Sequence, residues 1–294
     1  MTLRSDRDAQ FVVEERSEGR TLVVTGSWTA EAQTLIMQGE ADGLELNYAR
    51  GFSENDLQFV LQFPVRRLLV LDRSLTDLAP IARLAPTLQE LRVQAAPKAK
   101  IDLRPFSQLL MLAGDWIAVR DTLSSIGGLR SLTVRRYGAP DLTPLSSNRR
   151  LASLVLKYAP GVESLRRVAD FPDLTKLSVL RGLRLHDLGD VGKGRLLREL
   201  ELENCPRVAS LGGIESLKML RFLGVSDCGD IDSFRPLTSL QNLEVLHAWG
   251  TTRIVDADLS PLSQLGHLRE IRMRDRREYR PRLTEIQSRL HKLA

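Results

Sequence analysis

Leu197-Arg198-Glu199-Leu200-Glu201-Leu202-Glu203-Asn204-Cys205 and, 23 residues on, Leu220-Arg221-Phe222-Leu223-Gly224-Val225-Ser226-Asp227-Cys228 share one pattern, apolar-x-x-apolar-x-apolar. Upstream the pattern recurs at Val65/Leu68/Val70, Leu88/Leu91/Val93, Leu109/Leu112/Gly114, Leu129/Leu132/Val134, Leu151/Leu154/Leu156 and Leu174/Leu177/Val179. Downstream it recurs at Leu243/Leu246/Ala248 and Leu268/Ile271/Met273, and a degenerate first copy fits Ala41/Leu44/Leu46. From Val65 onward the steps are 23, 21, 20, 22, 23, 23, 23, 23 and 25 residues, a regularity that decides the fold. In each copy the apolar-x-apolar centre is a short strand whose alternate side chains point inward. A second apolar group, such as Leu75/Leu78/Ile81/Leu84 or Ile231/Phe234/Leu237/Leu240, returns the chain across the back. These returns span only about ten residues and carry Pro and Gly, which favours 3-10 turns over full helices. One copy alone leaves its apolar face in water. Stacked copies bury one another, so a solenoid of about 11 repeats is expected.

The copies resemble leucine-rich repeats over residues 41–275, and their length and an Asp-Leu-x-Pro-apolar motif resemble the short-repeat bacterial, internalin-like subclass. The motif stands at Asp77–Ile81, Asp102–Phe106, Asp141–Leu145 and Asp258–Leu262, with a variant at Asp232–Leu237. Asp there can cap the free N–H groups of the turn, and Pro is tolerated near its start. The resemblance implies an α/β horseshoe: a curved parallel sheet on the concave side, 3-10 and irregular segments on the convex side, and a cap at each end. Members of the family usually place an inward Asn after the strand. Here that position reads Arg73, Ala96, Ile117, Tyr137, Ala159, Gly182, Cys205, Cys228, Thr251 and Arg276, so a less regular ladder is expected.

Residues 1–40 are read as an N-terminal cap, with a hairpin over 11–25 and a helix that Ser27 could cap, carrying Trp28, Ala32, Leu35 and Ile36 on one face. At the other end Pro281 opens a segment with Leu283, Ile286, Leu290 and Leu293 at helical spacing, so residues 276–294 read as a C-terminal capping helix.

The 294 residues are 43% hydrophobic and 27% charged, enough to bury a core without disulfides or metal. No apolar run approaches the roughly 20 residues of a membrane span, and Met1–Asp8 lack the apolar stretch of a signal peptide. With two cysteines and no glycosylation acceptor, a cytoplasmic protein is expected. Arginines outnumber lysines 35 to 7, which suits a GC-rich bacterial genome. The net charge of +5 comes from one end: Leu268–Ala294 holds eight arginines and one lysine against four carboxylates. The rest is neutral overall, unlike a protein that coats nucleic acid.

Chemistry is sparse. Gly189-Asp190-Val191-Gly192-Lys193-Gly194-Arg195 superficially suggests a phosphate loop, but no Ser or Thr follows the lysine. His186, His247, His267 and His291 are dispersed, without ligand spacing. Cys205 and Cys228 occupy one repeat position in adjacent copies, read as packing rather than as a disulfide or a nucleophile. Family ubiquitin ligases carry a separate catalytic domain, for which no room is left here. No enzyme, cofactor or metal site is expected.

Residues alternating with the inward ones face the concave side. There Trp116, Arg135, Arg136, Lys157, Tyr158, Lys176 and Arg181 form a basic-aromatic patch over four copies. Glu199, Glu201, Glu203 and Asp227 form an acidic stripe beside it, and Phe222, His247 and Trp249 an aromatic group. Trp, Tyr and Arg dominate interface hot spots, and a bipolar face suits a folded partner better than a uniform polyanion. The reading is therefore a non-enzymatic, monomeric scaffold that binds a protein through its concave face. One alternative is nucleic-acid binding through Arg272, Arg274, Arg276, Arg277, Arg280 and Arg282, which four interspersed acids disfavour. Family analogy supplies another, a toxin-neutralising, immunity-type role.

Overall fold

Alternation along each copy builds a sheet whose inner face is leucine. In the computed structural model residues 10–293 are described, with side chains as far as Leu290. Met1–Asp8 and the side chains of His291 and Leu293 lie outside that range. The chain divides into two compact units, one ending at Leu129 and the other beginning at Arg130.

The first unit opens with β1 (Phe11–Arg16) and β2 (Gly19–Val24), an antiparallel hairpin, followed by α1 (Ala30–Met37). β3 (Gly43–Asn47), β4 (Arg67–Leu71), β5 (Glu90–Gln94) and β6 (Met111–Asp115) then add in parallel to β2, and α2 (Trp116–Val119) follows β6 directly. Helix α1 is capped by Thr29, whose Oγ1 accepts the Ala32 N–H at 3.1 Å, and not by Ser27 as the sequence suggested. The reason is Trp28. Its ring stacks on Phe59 and Phe63, with centroids 4.7 and 5.5 Å away, and Glu54 accepts its backbone N–H. That cluster holds the chain outside the helix until Thr29, so Trp28 is not on the helical face.

The second unit carries β7 (Ser131–Arg135), β8 (Ser153–Lys157), β9 (Lys176–Leu180), β10 (Glu199–Glu203), β11 (Phe222–Gly224), β12 (Asp230–Ile231), β13 (Val245–Ala248), β14 (Arg253–Ile254) and β15 (Glu270–Met273), then α3 (Leu283–Leu293). All but β12 and β14 form one parallel sheet, while β12 and β14 pair with each other behind it. Leu132, Leu154, Leu177, Leu200, Leu223, Leu246 and Ile271 are register neighbours across that sheet. The six leucines are fully buried and Ile271 nearly so. Burying one such side chain contributes about 1.5–3 kcal/mol. The stack is therefore its own core.

As expected, the returns are short 3-10 turns, at Thr143–Leu145, Val168–Asp170, Val191–Lys193, Ile214–Ser216, Arg235–Ser239 and Ser260–Gln264. Asp141 and Asp258 each accept the N–H two residues on, at 2.9 Å, at the start of two of these turns, and Asp77 and Asp102 do the same in the first unit at 2.9 and 3.0 Å. In the variant copy Ser233 Oγ takes over and accepts the Arg235 N–H at 3.0 Å.

The position after the strand needs correction in four copies. Thr252, not Thr251, turns inward, because the chain takes one extra residue after β13. Its hydroxyl accepts the Cys228 N–H at 3.0 Å and donates to the Val225 carbonyl at 2.5 Å, bridging two coils as an inward Asn would. In the first unit Asp72 is buried while Arg73 is exposed; the Asp72 carboxylate accepts the Ser74 N–H and hydroxyl. Ala95 is buried ahead of half-buried Ala96, and Asp115 is buried while Ile117 is exposed, because α2 starts immediately after β6. Tyr137, Ala159, Cys205 and Cys228 are fully buried there. Both cysteines are free thiols, donating to Val179 and Leu202 carbonyls at 3.5 and 3.2 Å. At the C-terminus α3 begins two residues after Pro281 and buries Leu283, Ile286 and Leu290.

Candidate functional site

Because Leu154 and Leu156 point inward, Ser153, Val155 and Lys157 must point out, and the same holds strand after strand. Across the second unit this outward face leaves Tyr158 and Trp249 51% and 55% exposed. Its residues fall into two groups.

In the first, Arg135 and Lys157 are register neighbours at the ends of β7 and β8. The next residues, Arg136 and Tyr158, and Arg181 after β9, all lie in the left-handed region, with φ of 57°, 53° and 58°. This conformation turns the chain inward after the strand and leaves these three side chains exposed. The Arg181 guanidinium lies over the Tyr158 ring, 5.1 Å from its centroid. Asn204, Asp227 and Gly250 hold the same conformation in the following copies. At Gly250 a β-carbon would come within 2.0 Å of the Asp227 carboxylate, which would have to swing aside for any other residue.

In the second group Glu201, Gly224, His247 and Arg272 form one row across β10, β11, β13 and β15. Lys176 stands one row back and pairs with Glu199 at 2.7 Å, joining the basic and acidic clusters. Phe222 packs edge-on against His247, with centroids 5.1 Å apart and planes at 82°. His247 Nε2 lies 3.0 Å from a Glu270 carboxylate oxygen, and this bond, helped by Arg272, holds the Glu270 carboxyl below its ordinary range. The Trp249 backbone N–H donates to Ser226 Oγ at 3.2 Å, and the Trp249 side chain is exposed.

Trp116 belongs to the first unit, where it opens α2 half-buried. The other eleven expected residues are in the second unit. Sequence reading missed Ser178 and Gly224, which stand in the outward columns but present a small side chain or none. Ser178 is 1% exposed, and its hydroxyl has no hydrogen-bond partner.

Elsewhere the structure offers little chemistry. Lys193 of the glycine-rich turn pairs with Asp190 at 2.6 Å, in a 3-10 turn rather than a strand-to-helix phosphate loop. Among the described residues no three His, Cys, Asp or Glu side chains converge as metal ligands would, and no helix is long and apolar enough to cross a membrane. Within the arginine-rich end, Arg272 pairs with Glu270 and Arg282 with Asp275, while Arg280 donates to the Arg277 and Tyr279 carbonyls.

The sequence matches no protein-family model, and no curated protein is similar to it. Solved structures are similar in fold. A leucine-rich-repeat protein of Leptospira interrogans superposes with a TM-score of 0.54 at 15% identity, over 84% of this chain and 71% of that one. The mouse RP105/MD-1 complex gives 0.57 at 18% identity, over 78% and 41%. An internalin from Listeria monocytogenes aligns over 73% and 77% at 16% identity, with a TM-score of 0.42. The parallel ladder, the 3-10 returns and the likeness to the Leptospira protein establish the fold as a leucine-rich-repeat solenoid.

Proposed function

We propose that this leucine-rich-repeat chain is a non-catalytic, monomeric scaffold that grips a partner protein through the open face of its sheet, the face expected to be concave. One observation carries the reading. Every inward position of the second unit is closed, yet the outward face keeps Tyr158 and Trp249 more than half exposed. Large aromatics on a bare sheet gain nothing from a core, and they are the residue types that anchor interfaces. Basic side chains at one end and carboxylates with aromatics at the other suit a folded partner of complementary pattern. The similar mouse structure is itself a protein complex. Two buried free thiols fit the reducing cytoplasm. The hairpin with α1, and α3 at the far end, act as caps over the terminal coils.

The test is capture of the partner by the intact chain and by variants of each side. Tyr158→Ala and Trp249→Ala should both abolish capture, and Trp116→Ala should weaken it, with folding retained. Arg235→Ala, on a 3-10 return, should leave capture unchanged. Undiminished capture by a Tyr158→Ala/Trp249→Ala double variant would overturn the reading.

A further inference from the structure

We propose that the hollow between β10, β11 and β13 is a seat for an arginine side chain of the partner, held by Glu201, Glu203 and Asp227 and stacked on Trp249. The inference rests on the open-face reading and names the chemistry of the group received. The hollow has a volume of about 290 Å³ and is walled by those four residues together with Phe222 and Gly224.

Charge points to a cation. Glu199 is already neutralised by Lys176, but Glu201, Glu203 and Asp227 form no ion pair among the described residues. Asp227 accepts only the Thr251 N–H, at 3.0 Å. Glu201 and Glu203 are two residues apart on one strand, so both project to the same side. Three carboxylates facing one small volume repel one another until a cation enters.

Shape points to the same occupant. Gly224 is the one residue of its row without a side chain. A β-carbon there would lie 3.2 Å from the Phe222 ring and 3.3 Å from Glu201 Cγ, and a longer side chain would fill the hollow. A guanidinium is flat, offers five donors in a fork and stacks on indole, matching carboxylates on one side and Trp249 on the other. A lysine ammonium matches only the charge.

The probe is a five-residue peptide, acetyl-Gly-Gly-Arg-Gly-Gly-amide, titrated into the nitrogen-15-labelled full chain while the indole N–H resonances are followed. Trp249→Phe identifies the Trp249 signal. That signal should move saturably with the arginine peptide, several-fold less readily with the lysine peptide, and not at all with its neutral citrulline counterpart. Glu201→Gln, an isosteric change, should weaken binding about tenfold. Gly224→Val should abolish binding while resonances distant from the sheet stay in place. An indole signal unmoved at about 10 mM peptide, or moved equally by citrulline, overturns the proposal. Partner capture separates the two readings: if it needs Tyr158 and Trp249 but survives Glu201→Gln/Glu203→Gln, the arginine seat falls and the open-face scaffold stands.

Discussion

Arg181 stacks its guanidinium over the ring of Tyr158, 5.1 Å from the centroid, and both residues are held at positive φ, 58° and 53°. A residue with a β-carbon in that region costs roughly 1–2 kcal/mol, and an exposed cation–π contact offsets only about 0.5–1. The same column uses Asn204 and Gly250 farther along, residue types that accept the conformation readily. Tyr158 and Arg181 are therefore not the residues that coil stability alone would select. Tyr158→Asn should leave the melting temperature within about 2 °C of the parent, or raise it, while weakening partner affinity about tenfold or more. Thermal unfolding and titration calorimetry read the two effects separately. A clear loss of stability with unaltered affinity would make Tyr158 a structural residue.

Thr252 offers a test of register. Its hydroxyl serves the Cys228 N–H and the Val225 carbonyl inside the stack, while Thr251 is exposed. Thr252→Val keeps the shape and strands both backbone groups, so it should lower unfolding free energy by about 1–3 kcal/mol in urea melts. Thr251→Val should change it by less than about 0.5. The reverse order would restore the register expected from counting alone.

These two sites show what the sequence revealed and what it hid. The leucine period located the second unit's main strands, because each inward residue must meet its counterpart one coil away. The period counts residues, however, and not turns of chain. The 25-residue step from Leu243 to Leu268 contains the extra residue that shifts the inward place from Thr251 to Thr252. Trp28 misled for a related reason: helical spacing describes a face, but its ring had stronger partners in Phe59 and Phe63, far along the chain. The left-handed exits at Arg136, Tyr158 and Arg181 were hidden because those residue types do not announce positive φ. Asn204 and Gly250 in the same column were the only hint. The arginine seat escaped notice because its floor is Gly224, a residue that outward columns of side chains pass over.

Tyr137 occupies the family's usual Asn position and solves the same problem differently. Its phenol, fully buried, donates to the Asp141 carbonyl at 2.7 Å and so ties the strand exit to the start of the return. Burial, with the nearby Asp141 carboxylate, drives the phenol pKa well above its ordinary value of 10.0. A raised folded-state pKa means the native chain keeps a proton that the unfolded chain releases. This contribution is complete below pH about 10 and is lost as pH rises beyond it. Alkaline unfolding should therefore steepen above that pH. Tyr137→Phe should cost about 1–2 kcal/mol near neutrality and remove that part of the slope. An unchanged alkaline profile in the variant would show that the phenol does not govern it.

In the first unit the corresponding test is acid. Arg16 bridges Glu14 at 2.7 Å and Glu45 at 2.6 Å, and Glu45 is only 5% exposed. Arg50 reaches Glu14 from the other side. The hydrogen bonds from Arg50 and then Arg16 hold the Glu14 carboxyl down at about 2. With a depressed folded-state pKa the stabilisation is present above the unfolded value of about 4.5 and is lost as pH falls toward 2. Glu14 is partly open to solvent, so its share of stability is small, and Glu14→Gln should flatten the acid limb with little change at pH 7. Arg16→Ala is the severe variant, because it leaves the Glu45 carboxylate buried with only the Asn47 amide, 2.9 Å away, for company. It should cost about 1–3 kcal/mol at pH 7, read in urea melts. Arg16→Met, which keeps a methylene stem but no guanidinium, should lose about as much; recovery of the parent stability by methionine would instead locate the contribution of Arg16 in the packing of its stem.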